Sequence, residues 1–133
     1  MPSLAEFTAV AVGGAAGSII RYSLALASMR LPGATTLAGT FAANLAGCLA
    51  IGLLSGVLLQ HPNWLSPTAS VGLRIGLLGG LTTLSTFAAE SVFLAGEGRF
   101  ALMATYVTAT VLLGLVAVSA GIWIASPAQG IPQ

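Results

Sequence analysis

Residues 71–95 read VGLRIGLLGGLTTLSTFAAESVFLA, and the middle of that run decides the fold. The run is apolar and long enough to cross a bilayer, which takes ~20 residues. Yet Gly79-Gly80-Leu81-Thr82-Thr83-Leu84-Ser85-Thr86-Phe87 holds two glycines and four hydroxyls around its midpoint. Paired Gly weakens a helix, and Ser and Thr compete for backbone partners. The pattern predicts a transmembrane helix broken at mid-membrane. A break in lipid strands N–H and C=O groups at several kcal/mol each, so it calls for a partner protein, water or an ion. Broken helices at the midplane are a recurring way to bind ions. The alternative is an unbroken helix whose hydroxyls bond their own carbonyls, with Gly serving packing.

The surrounding chain agrees with a membrane setting. Of its 133 residues 56% are hydrophobic and only 5% charged, four Arg and three Glu, with a mean hydropathy of +0.99. Soluble domains carry about 25% charged residues, so an ordinary soluble domain is excluded. A net charge of +1 argues against a basic nucleic-acid patch. The single Cys48 rules out an intrachain disulfide and a multi-cysteine metal site. Four spans are expected, at about 4–28, 36–59, 71–95 and 100–125, forming one all-α transmembrane domain over 1–133. Pro32, Pro62 and Pro67 fall in the gaps, Gly96-Glu97-Gly98-Arg99 reads as a tight helical-hairpin turn, and the tail SPAQGIPQ as frayed. The first span has no basic region before it and reads as a retained helix rather than a leader.

Polar groups inside these spans are the candidates for function, because they are costly there. Thr40, Asn44 and Cys48 share one face of the second span. The Asn44 amide has two uses, donating to an anion or joining two helices. Gly52 and Gly56 form a weak GxxxG packing signal. The fourth span places Tyr106 and Thr110 one turn apart. Arg21 either snorkels to the interface or lines a wet vestibule that draws in anions. Glu90 either faces a vestibule or pairs with an Arg. Glu6, Glu97, Arg30, Arg74 and Arg99 read as boundary or loop charges, Trp64 and Trp123 as interfacial anchors. Counting the α-amino group and Arg74 on one side against Arg30 and Arg99 on the other leaves almost no positive-inside bias. That balance is either noise or a chain that inserts both ways up. No P-loop, HExxH or GxSxG occurs, so no enzyme is expected.

Three segments in order, GGAAGSIIRY at 13–22, GTFAANLAGCLAIG at 39–52 and GLLGGLTTLSTFAAE at 76–90, resemble the fluoride channel family of small bacterial membrane proteins, the Fluc or CrcB family. The resemblance covers essentially the whole chain. It implies four helices per subunit, an antiparallel dual-topology homodimer in the bacterial inner membrane, and passive export of fluoride through two pores. It places pore roles on Asn44, Thr40, Tyr106, Thr110 and the segment Thr83-Leu84-Ser85-Thr86-Phe87, and a vestibule role on Arg21, with Glu90 beside it. It implies a central structural sodium ion held by backbone carbonyls at the dimer interface, here those of Gly79 and Thr82. Small neutral donors suit a strongly hydrated small anion, and the family's two Phe rings offer positive edges. Here the second ring is Phe87 and the first is replaced by Leu84, which has no quadrupole. Leu84 is compatible with a one-ring homodimer, one half of a heterodimer, or an engineered variant. Two rivals remain: a dual-topology proton-coupled drug exporter, which needs an embedded carboxylate and has only Glu6 or Glu90, and a non-transporting structural subunit.

Overall fold

The computed structural model describes residues 2–30 and 35–126. Pro32 and all of the tail except Ser126 lie outside the described residues. Six α-helices follow in order: α1 (Leu4–Ser28), α2 (Thr36–Gln60), α3 (Pro67–Val71), α4 (Gly79–Leu81), α5 (Leu84–Gly96) and α6 (Phe100–Ala125), with a π-helical stretch Gly72–Leu78 between α3 and α4. From Pro67 to Gly96 they form one span, and four spans are long and apolar enough to cross a membrane. Among the described residues there is no strand.

The helix ends follow local chemistry. Ser3 caps α1: its hydroxyl accepts the Glu6 N–H at 3.2 Å, and its own N–H donates to the Glu6 carboxylate at 2.7 Å. This capping box satisfies two otherwise unpaired donors and places an acid at a positive helix end. The third span starts at Pro67, four residues before the expected Val71. Ser66 accepts the Ala69 N–H at 3.2 Å, and Pro67 takes the first helical position, where its missing N–H costs nothing. The hairpin turn before α6 forms as expected. Gly98 has a φ of 71°, a left-handed conformation that favours glycine, and Arg99 N–H closes the turn on the Leu94 carbonyl at 2.9 Å.

Two glycine seams hold the spans. Along the first, Gly13 and Gly17 of α1 lie directly against the backbone at Gly72 and Leu77. A Cβ on Gly76 would stand 2.9 Å from the Val10 carbonyl oxygen, and one on Gly80 2.6 Å from that of Gly14. Along the second, Gly52 abuts the Val118 carbonyl, a Cβ on Gly56 would stand 2.8 Å from the Ile122 carbonyl, and one on Gly121 2.7 Å from the Leu49 carbonyl. Without a hydrophobic drive between helices in lipid, such close backbone approach supplies the dispersion contacts that join them. The GxxxG pair of α2 is thus the α2–α6 contact. The outer faces carry Leu112, Leu115, Val116 and Ile124, all exposed, as suits lipid or another chain.

Candidate functional site

The third span breaks where its sequence is richest in hydroxyls. Leu81 ends α4, Thr82 and Thr83 are extended (φ −83°, ψ 154° and φ −149°, ψ 117°), and α5 begins at Leu84. The break is internally organised. Thr82 N–H and its hydroxyl both donate to the Leu78 carbonyl, each at 3.0 Å. Thr83 caps α5 by accepting the Thr86 N–H at 3.2 Å, and its hydroxyl meets those of Ser85 and Thr86 at 3.2 and 3.1 Å. Gly47 of α2 lies directly against the Thr82 methyl, which brings α2 close enough for Asn44 to reach the gap.

Asn44 then pairs with the Thr83 backbone both ways. Its amide nitrogen donates to the Thr83 carbonyl at 3.1 Å, and its amide oxygen accepts the Thr83 N–H at 2.7 Å. One residue thereby satisfies a donor and an acceptor that the break exposes, at a depth where either would cost several kcal/mol. The amide has two N–H groups and this pairing uses one. Joining helices and presenting a donor are therefore compatible roles. From the α1 side, Arg21 Nε donates to the Gly80 carbonyl at 3.1 Å. No donor among the described residues reaches the carbonyls of Gly79 or Thr82.

The break borders a partly open cavity of about 500 Å³. Asn44, Gly79, Thr82, Thr83, Leu84 and Phe87 line it from α2 and the break, and Thr110 from α6. Leu84 is 78% exposed there. The Thr110 hydroxyl is buried and has no hydrogen-bond partner. Ser126 Oγ, at the end of α6 and away from the cavity, is likewise buried without a partner, whereas Thr8 bonds back one turn to the Leu4 carbonyl and Thr105 to the Ala101 carbonyl at 2.9 Å, and Ser91 to the Phe87 carbonyl at 2.8 Å.

The remaining expected residues sit elsewhere. Thr40, Glu90 and Tyr106 form a separate cluster from three helices. Tyr106 donates to one Glu90 oxygen at 2.7 Å and Thr40 to the other at 3.1 Å. None of the three lines the cavity, and neither do Arg21, Ser85 or Thr86. The Phe87 and Tyr106 rings link cavity and cluster, with centroids 5.2 Å apart and planes at 53°, an arrangement favourable for aromatic quadrupoles. Sequence reasoning did not foresee the Thr40–Glu90–Tyr106 cluster. The signal was a lone carboxylate in a span, for which neutral donors were sought only along their own helices.

Comparison with known proteins follows the same motifs. Residues 8–122 match the family described as CrcB-like protein, Camphor Resistance (CrcB). The chain is similar to the fluoride-specific ion channel FluC of Caulobacter vibrioides, 38% identical over 116 residues, covering 87% of this chain and 91% of that protein. It is 43% identical over 116 residues to the protein of the same name from Desulfotalea psychrophila, covering 87% and 88%. To that of Pseudomonas putida it is 40% identical over 120 residues, covering 90% and 95%.

Proposed function

The chain belongs to the CrcB family, and on that premise we propose how it acts as a fluoride-specific ion channel in a bacterial membrane. This is an ion-channel family, not an enzyme family, and the chain crosses the membrane several times. The cavity at the break is the path for the anion. The observation that carries this reading is Thr110, which lines the cavity with Asn44 and Thr83 and whose hydroxyl is buried without a partner among the described residues. A hydroxyl that has given up its own helix carbonyl is free to donate to an ion. The spare Asn44 N–H and the positive edge of the Phe87 ring add to a set of small neutral donors. Such donors can replace the water of a compact anion.

The cavity is partly open, and a second copy inserted the other way up would close it. The balanced arginines support that antiparallel dimer. The Gly79 and Thr82 carbonyls support the central sodium ion. They are neutral, hard oxygen donors beside the negative end of α4 and are free of hydrogen bonds, which suits a cation. When bound, that ion would be coordinated by the stranded carbonyls and would hold two copies together. Within the chain, Asn44 holds the break open and Arg21 fixes Gly80.

Leu84 favours a second version of the assembly. It faces the cavity beside Phe87 and offers no ring edge, so a heterodimer partner carrying an aromatic there would complete the pair. A drug exporter fits poorly, because Glu6 is committed to the α1 cap and both Glu90 oxygens accept hydroxyls.

Asn44→Asp tests the pore assignment. A carboxylate repels the anion and removes the donor, so fluoride release from loaded liposomes should fall to the protein-free background. Release at the wild-type rate would overturn the assignment.

A further inference from the structure

The guanidinium on the cavity wall is Arg74, although Arg21 is the residue expected to draw anions. Arg21 approaches the break from α1, spends its Nε on the Gly80 carbonyl, and does not line the cavity. Arg74 lies in the π-helical stretch Gly72–Leu78, is exposed, and lines the cavity with Asn44, Thr82, Thr83 and Thr110. Its direction follows from its neighbours. Gly72 and Gly76 are buried against α1, and a residue two positions from each points to the opposite side of the helix.

Nothing among the described residues neutralises it. Among the described residues Arg74 makes no hydrogen bond, and the one ion pair joins Arg99 to Glu97 at 3.1 Å, beyond the far end of the third span. Glu90, the acid in the same span, lies on the other side of the break and has both oxygens engaged. Arg74 precedes Thr82 by eight residues, on the order of 10 Å along the span, because the π-helical stretch rises less per residue than the ~1.5 Å of an α-helix. That depth is near the hydrocarbon edge, where a long side chain keeps its head wet. A boundary charge explains the wet head. It does not explain why the charge stands on the cavity face.

We propose that Arg74 is the anion-gathering residue of the cavity, raising the local fluoride concentration at the mouth on the N-terminal side and feeding Asn44 and Thr110. The inference rests on the fluoride-channel reading. A fixed charge between low-dielectric walls focuses potential and raises the local concentration of its counter-ion. Screening sets in over about 10 Å at 0.1 M salt. The signature is therefore a dependence on ionic strength, which a merely structural arginine lacks.

The test is initial fluoride efflux from liposomes of the wild type, Arg74→Gln and Arg74→Lys, at low and high concentrations of an impermeant salt and with sodium constant. Arg74→Gln should be slower by about fivefold at low ionic strength and by under about twofold at high, while Arg74→Lys stays near wild type. Equal rates for Arg74→Gln and wild type at low ionic strength would overturn the inference, as would a slowing of the same size at both. Should the Gln variant fail to assemble, the wild type alone decides: its rate falls as salt rises, and a rate flat in salt contradicts the role. Wild-type liposomes that release no fluoride overturn the channel reading, and this inference with it.

Discussion

The two glycine seams look alike and do different work. Where α2 meets α6, Gly52, Gly56 and Gly121 bring two continuous helices into backbone contact. Where α1 meets the third span, Gly13 and Gly17 face Gly72, Gly76 and Gly80 just as closely. The seam on α1, however, runs beside a helix that turns π-helical and then breaks at Thr82 and Thr83. Close packing alone does not demand a break, because α2 and α6 manage without one. The break needs its own support, supplied by Asn44 across from α2 and Arg21 from α1. One seam builds the scaffold, and the other aims backbone groups into a cavity.

The contrast can be broken first at the scaffold. Gly52→Val drives a side chain into the Val118 carbonyl. Overpacking of this kind costs about 1–3 kcal/mol or more, and two backbones in contact have little room to yield. The expected outcome is loss of the folded species in detergent, read as a lower melting temperature and an early-aggregating chromatogram. An unchanged melting temperature would mean that the seam is looser than described.

The next effects belong to the cavity and leave the fold intact. Thr110→Val removes the unpartnered hydroxyl while nearly keeping shape, and should slow fluoride efflux about tenfold, the loss of one donor worth roughly 1.4 kcal/mol. Thr105→Val, one of the hydroxyls that bonds its own helix at 2.9 Å, should change efflux by less than about twofold. Equal effects at the two threonines would erase the distinction drawn between them. Between these in size, Leu84→Phe restores a ring edge beside Phe87 and should raise efflux by about threefold. No change would mean that Leu84 does not limit the path.

Much of this was legible in the residues because lipid punishes unpaired groups. The run Gly79–Phe87 announced the break, and the four spans followed from length and hydropathy. The starts of α1 at Leu4 and α6 at Phe100 carry local signals, in Ser3 with Glu6 and in the Gly96–Arg99 turn. The third began at Pro67 instead of Val71, because a proline after Ser66 serves equally as a loop residue or a first helical residue. The π-helical stretch left no mark in the sequence, since it answers the contact of Gly72 and Gly76 with α1. The resemblance groups Thr40 and Tyr106 with the pore, and in the folded chain both also hold Glu90, a relation between three helices that no single span reveals. Arg74 reads as a boundary charge because the sequence carries its depth and not its facing.

In the proposed function, the cavity at the break passes fluoride and the carbonyls of Gly79 and Thr82 hold a sodium ion. The purified chain, reconstituted alone into liposomes, tests both through fluoride and chloride efflux measured with and without sodium. The account predicts rapid fluoride release, no chloride release above background, and a loss of fluoride release when sodium is stripped away. Chloride leaving as fast as fluoride, or no fluoride leaving with sodium present, would contradict it.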